Sequence, residues 1–422
     1  MRNTYWIILG ITLTFIAGAS IYFNYTSNKS IISLQTINPD LLHEITNVLS
    51  TAFGAKVQIE SIIQLTESDR RNLVLRIILH GSTQSMPTSV ILKQSLMEDS
   101  EQEDKAATDR FARDWAGLQF ISTLKTDMCI APHFYGGSIC YRFILLEDLG
   151  EQHTSLSSVL VSGDTQLATA TLEQFMRCLG QLHAQSYGKG EDYQKIMNTL
   201  NPNAKSYKDQ INILLSQTLP KLQSTLESID IPYIIPLKEE IHAVITSVIA
   251  PGPFTTFIHG DCCPGNTFYN QSKNELLLID FEWGYFRNAL LDGTYLCMSM
   301  PNCWSLGSTG TIPEELIETL ESIYRQELVK KIPAARDDEV YNQAYVSACS
   351  YWLIKIVLVI PYVLDDDKPV RSRIISELQA FISVAQKYDK LPHIISMAKE
   401  ILEKLKVRWP GIGPMDLYPS FR

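Results

Sequence analysis

Phe257-Ile258-His259-Gly260-Asp261-Cys262-Cys263-Pro264-Gly265-Asn266, followed after a polar connection by Leu276-Leu277-Leu278-Ile279-Asp280-Phe281-Glu282, is the stretch on which the fold turns. The apolar run from Leu276 to Ile279 is too short for a helix and reads as a buried strand, so the Asp280 carboxylate emerges at a strand end. The connection Tyr269-Asn270-Gln271-Ser272-Lys273-Asn274 is polar and turn-prone, as a hairpin requires. Such a hairpin brings Asp280 beside the loop 261–266. Two aspartates and an asparagine in this order suit phosphoryl transfer. That chemistry needs a carboxylate to accept the proton of the attacking hydroxyl, an amide oxygen to hold magnesium, and a second carboxylate to hold the metal against the phosphates. The expected roles are Asp261 as catalytic base, Asn266 and Asp280 as Mg²⁺ ligands, and ATP as donor.

His259, Asp261 and Asn266 keep the separations of the catalytic loop H-R-D-x-x-x-x-N, with Gly260 in place of the arginine. With these residues the chain resembles the aminoglycoside phosphotransferase and choline kinase group. The His-Gly-Asp start is similar to the aminoglycoside branch, and Ile279-Asp280-Phe281-Glu282-Trp283 with Asn288 and Asp292 to the choline and ethanolamine branch. The resemblance runs more weakly over residues from about 57 to 295. It implies an α+β, bilobal protein-kinase-like fold, with a small antiparallel-sheet N-lobe at residues 31–146 and a mainly helical C-lobe at 147–422 holding the catalytic loop and substrate site. It also implies ATP- and Mg²⁺-dependent transfer of the γ-phosphoryl group to a hydroxyl of a small molecule. His259 reads as a brace for the loop. Cys262, Cys263 and His259 lack Cys-x-x-Cys ligand spacing, so zinc is not expected.

The fold makes demands upstream. Thr88-Ser89-Val90-Ile91-Leu92-Lys93 is an apolar run ending in a lysine, comparable to the strand whose lysine grips the α- and β-phosphates. Phe111, Trp115 and Leu118 then recur at helical spacing, with Asp114 on or beside that apolar face. A carboxylate there needs a partner. Lys93 is the obvious one, although Glu101 or Glu103 could pair with it instead, and the resembled family usually has Glu at the position of Asp114. Runs 57–63 and 73–79 read as paired strands joined by a connection with no glycine. Any grip on phosphates there relies on Ser68 and the cations Arg70 and Arg71, with Arg71 equally readable as a solvated hairpin tip. Glu147-Asp148-Leu149-Gly150 resembles the hinge between the lobes, so Glu147 and Leu149 are expected to line the adenine site through main chain. His183 on an apolar helix face reads as a satisfied core residue.

The chain of 422 residues, 45% hydrophobic and 19% charged, can bury one full core and has the make-up of a globular protein. A net charge of −10 argues against a nucleic-acid partner. Residues 1–30 stand apart. The uncharged stretch 6–23, flanked by Tyr5, Trp6, Tyr22 and Phe23, suits a membrane anchor, while Arg2 and the run Ala17-Gly18-Ala19 suit a cleaved signal peptide. Arg2 and Lys29 nearly cancel as orientation signals. ATP use and cysteines without framework spacing, Cys262 and Cys263 among them, favour a cytosol-facing domain with reduced thiols, with secretion as the alternative.

Trp283, Trp304, Tyr351, Trp352 and Tyr362 could form an aromatic wall for a cationic substrate, and Asp365-Asp366-Asp367 could add negative charge. Scattered aromatics are as readily core, and an acidic run is commonly a solvated loop. A protein kinase is disfavoured, because no Ala-Pro-Glu follows Asp280. The alternative of another class is a membrane-tethered pseudokinase acting as a binding module, supported by the glycine-free loop and by Asp114.

Overall fold

A computed structural model describes residues 30–66, 71–81, 86–202, 207–301, 303, 310–363 and 367–422. The expected membrane segment lies outside the described residues, as do Ser68, Arg70, Trp304, Asp365 and Asp366.

The chain opens with β1 (Ser30–Ile32) and α1 (Pro39–Phe53), a helix capped by the Asn38 side chain and closed by Gly54 in the left-handed conformation. Strands β2 (Ile59–Gln64), β3 (Asn72–Leu79) and β4 (Ser89–Ser95) follow, then α2 (Glu101–Ile121), β5 (Phe134–Ser138) and β6 (Phe143–Glu147). These strands form one antiparallel sheet in the order β1-β2-β3-β4-β6-β5. Alternation along β4 separates its faces. Val90 and Leu92 pack with Ile45 and Leu49 of α1, whereas Ile91, with Val74 and Ile144 on neighbouring strands, joins the core that contains α2. Lys93 lies opposite Val74 and Ile144 in register, so the pleat turns it toward α2.

The remainder is mainly helical. It comprises β7 (Thr154–Ser155), α3 (Leu156–Leu160), α4 (Thr165–Ser186), α5 (Gly190–Leu200), α6 (Tyr207–Glu227) and α7 (Ile235–Ile249). Four short strands follow, β8 (Thr255–Ile258), β9 (Thr267–Asn270), β10 (Glu275–Leu278) and β11 (Tyr285–Asn288). The chain ends with α8 (Leu290–Gly293), α9 (Glu314–Leu328), α10 (Asp338–Val357), α11 (Lys368–Lys387) and α12 (Pro392–Arg408). The small antiparallel sheet followed by a mostly helical region is the α+β arrangement expected from the sequence.

β9 and β10 form the anticipated hairpin, with Leu278 opposite Thr267, and β11 pairs with β8. These two ribbons carry the candidate site. One stretch among the described residues, Asp338–Tyr362, is long and apolar enough to cross a membrane, with a mean hydropathy of 1.6 over an 18-residue window. That window is 72% buried inside the fold and the helix packs against α7, α8 and α11, so its apolar character is accounted for by the core.

Candidate active site

The loop leaving β8 turns at Gly260, whose φ is +79°. A Cβ there would lie 2.5 Å from the Trp283 carbonyl oxygen, which explains glycine where the related loop carries arginine. His259 is buried. Its Nε2 donates to the Ile279 carbonyl at 2.9 Å and its Nδ1 accepts from the Asp261 amide at 3.2 Å, which ties the loop to the end of the hairpin. Burial lowers its pKa, against the pull of Asp292, so the ring is a neutral brace. Asp292 accepts from the amides of His259 (2.6 Å) and Gly260 (3.1 Å), and its Oδ2 is 3.2 Å from His183 Nε2. Burial would raise the Asp292 pKa, but these bonds and the His183 and His259 rings lower it overall, so the loop is pinned by a carboxylate.

Asp261 is 5% exposed and held from two sides. Tyr295 Oη donates to Oδ1 at 3.1 Å, and Asn266 Nδ2 lies 3.3 Å from Oδ2 and 3.1 Å from the Asp261 carbonyl. Burial, followed by repulsion from Asp280, raises the Asp261 pKa well above the ordinary carboxylate value. The Asn266 Oδ1 is buried and takes no hydrogen bond from any described residue. An orphaned carbonyl oxygen at that place fits a hard cation such as Mg²⁺, which carboxylate and amide oxygens suit.

Asp280 sits just past β10 in the left-handed region, at φ +68°. This conformation is uncommon for aspartate and is the kind of local strain that concentrates at functional sites. Its Oδ1 lies 2.6 Å from Lys93 Nζ, which is also 2.7 Å from Asp114 Oδ2. Asp114 Oδ1 in turn accepts from the Phe281 amide at 2.9 Å. The shorter side chain therefore bridges the lysine and the main chain beside Asp280. Glu103 is turned to Ser100 instead. Burial alone would lower the Lys93 pKa, but Asp114, Asp280 and Glu282 raise it above the usual lysine range, so the ammonium is charged.

Several expectations are corrected. Arg71 does not tip a solvated hairpin; it pairs with buried Glu282 at 3.2 Å. Cys262 is a free buried thiol, but Cys263 is disulfide-bonded to Cys303, with Cα atoms 5.6 Å apart. A separation of 40 residues gives no framework spacing, so only the fold reveals the pair. In the expected hinge, Glu147 is exposed and exchanges hydrogen bonds with His133, while Leu149 packs with Phe268, Leu277 and Ile279, beneath the strand that delivers Asp280. The residue between them, Asp148, is half-buried. It meets Arg76 at 2.6 Å and accepts from Ser89 at 2.7 Å, which fastens the connection to the sheet.

A cavity of about 240 Å³ opens beside Gly260, walled by Trp283, Tyr285, Tyr351 and Trp352. The aromatic wall anticipated from Trp283, Tyr351 and Trp352 exists, without exposed Tyr362. Its faces already carry cations of the protein. Arg113 stands 5.6 Å from the Trp283 ring centroid and Arg287 5.8 Å from that of Tyr285, and Lys355 lies 5.5 Å and 5.2 Å from those of Tyr351 and Trp352. The sequence signal for Lys355 is its place as the one charge in the apolar run 345–360. A larger groove of about 410 Å³ lies at the opposite end of the β8–β11 pair, beside Thr255 and Asn288, away from Asp261.

Residues 73–332 match the model of the ecdysteroid kinase-like family. The chain belongs to this family. The matched span includes Lys93, Asp114, Asp261, Asn266, Asp280 and Asp292 and stops before Lys355. The small antiparallel sheet followed by a mainly helical region is the arrangement that the resemblance to aminoglycoside phosphotransferases and choline kinases implies. Among solved structures, the chain is similar to a Ralstonia eutropha protein assigned as an aminoglycoside phosphotransferase (15% identity, 83% of this chain and 93% of that one, TM-score 0.41). It is similar also to a Plasmodium vivax ethanolamine kinase (13%, 86% of each chain, 0.40) and to aminoglycoside 2'-phosphotransferase-IIIa in its GDP complex (13%, 87% and 99%, 0.38). No curated protein sequence matches the chain at significance.

Proposed function

We propose that this protein is an ATP- and Mg²⁺-dependent phosphotransferase that moves the γ-phosphoryl group to a hydroxyl of a small molecule. The observation that carries the reading is the meeting of Lys93, Asp114 and Asp280 within hydrogen-bond distance, beside a loop that fixes Asp261 against Asn266. In this reading Asp261 orients the acceptor hydroxyl and takes its proton. Asn266, through its orphaned Oδ1, and Asp280 would hold Mg²⁺, which supplies neutralisation of charge on the phosphates. Lys93, held by Asp114, grips the α- and β-phosphates. Glu147 and Leu149 line the adenine site at the junction of residues 31–146 with 147–422.

Asp114 reaching Lys93 removes one of the two supports for a pseudokinase. The stretch 6–23 is proposed as a membrane tether, and with Cys263 in a disulfide the cytosolic orientation rests on the supply of ATP alone. Incubation with γ-labelled ATP and a panel of hydroxyl compounds, including an ecdysteroid, amino alcohols and an aminoglycoside, tests the reading. Label should reach at least one acceptor, and only with Mg²⁺ present. Nucleotide binding without transfer to any acceptor would favour the pseudokinase.

A further inference from the structure

The cavity beside Gly260 has the opposite charge character to one built for an amine. Its charged lining residues are Lys105, Arg113 and Arg287, against Asp109. Lys355 reaches the same aromatic wall from α10. Of the nearby carboxylates, Asp109 accepts from Asn201 at 2.5 Å. Glu282 is turned to Arg71 and meets Arg113 through its main-chain oxygen, at 2.7 Å. Burial lowers the Arg113 pKa, against the pull of Tyr193, Asp109 and Glu282, and Arg287 lowers it further; burial and Arg287 also lower that of Lys355. Cations crowded against an apolar wall repel one another and any incoming ammonium, and an oxyanion relieves that repulsion through charge-assisted hydrogen bonds.

We propose that this cavity receives an acceptor that carries an oxyanion, a carboxylate or its equivalent, in addition to the hydroxyl, with Arg113, Arg287 and Lys355 binding the oxyanion while the hydroxyl faces Asp261. The inference rests on the kinase reading for the hydroxyl end and on the cavity alone for the oxyanion end. Lys355 supplies a second handle. Burial and Arg287 hold its pKa down to about 7, against the pull of Asp261, and among the described residues Arg287 on β11, Asp261 in the loop and Tyr351 on its own helix are titratable groups that face it. A bound oxyanion favours the ammonium, so binding near pH ~8 draws in a proton.

The test is calorimetry without ATP at about pH 8, in two buffers of different ionisation enthalpy. The ligands are para-(hydroxymethyl)benzoate, its methyl ester and para-(aminomethyl)benzyl alcohol. The benzoate should bind at least about tenfold more tightly than the other two, with proton uptake and with weakening by salt. Lys355→Met should abolish the uptake, and both it and Arg287→Gln should reduce the benzoate to the level of its ester, with melting temperature and ATP affinity as controls for folding. If Arg287→Gln unfolds, Lys355→Met carries the test. Binding of the ester or amine as tight as that of the benzoate, or no binding of the benzoate, overturns the inference. Carboxylate binding without phosphorylation of any acceptor would sink the kinase reading and leave the pocket standing, whereas phosphorylation of neutral alcohols without preference for the carboxylate would do the reverse.

Discussion

Asp114→Asn is the perturbation whose size the structure constrains best. The native carboxylate is 3% exposed and accepts from Lys93 Nζ at 2.7 Å and from the Phe281 amide at 2.9 Å. Asparagine keeps the shape and one acceptor oxygen, so its NH₂ group must face one of these two donors. Loss of a hydrogen bond to a charged group costs roughly 1.5–3 kcal/mol. The larger penalty of about 3–5 kcal/mol for stranding a buried charge does not apply, because Lys93 keeps Asp280 at 2.6 Å. If Lys93 holds the nucleotide phosphates, the loss appears as MgATP affinity lowered by about 10–100-fold, at about 1.4 kcal/mol per tenfold. Titration calorimetry with MgATP on native and variant protein, with thermal unfolding alongside, measures both. Affinity within about twofold of native would refute the placement of Lys93 at the phosphates.

Further outcomes follow from buried groups elsewhere. Burial raises the pKa of Glu377 from 4.5 to about 7 despite Arg373 at 2.9 Å, so the folded protein keeps a proton that the unfolded chain releases. The stability it contributes therefore falls as pH rises from about 4.5 to about 7, by roughly 3 kcal/mol, and Glu377→Gln should gain on the native protein across that window in denaturant melts; a constant difference would contradict this. Thiol titration of unreduced, denatured protein should find six free cysteines of eight, and Cys303→Ser should cost up to about 4 kcal/mol for the 40-residue loop; eight free thiols would refute the pairing. Natively expressed protein should retain residues 6–23 by intact mass and resist extraction from membranes by carbonate; a chain starting near Ser20 would mean export.

The parts legible in the sequence are those encoded by local spacing. Asp261 and Asn266 share one loop, Asp280 ends a short apolar run, and Lys93 ends another, so strand length and turn chemistry alone orient them. The bridge by Asp114 was half legible, since helical spacing gave its face but not the Phe281 amide that makes aspartate long enough. What could not be read depends on elements that meet only in the fold. Arg113 on α2, Arg287 on β11 and Lys355 on α10 come from distant segments, and no periodicity relates them. Cys303 reaches Cys263 in the same way. The partner of Arg71 was not legible either, because a cation at a strand start looks solvated until Glu282, more than two hundred residues later, is brought against it.

The central claim is that Asp261 is the base of a phosphoryl transfer, and Asp261→Asn tests it most directly, because the change keeps the side chain's shape and removes its charge. With any acceptor found by labelled ATP, kcat should fall by about 10²–10⁴-fold while MgATP affinity and melting temperature stay near native values. Turnover of that acceptor by the variant at close to the native rate would contradict the account.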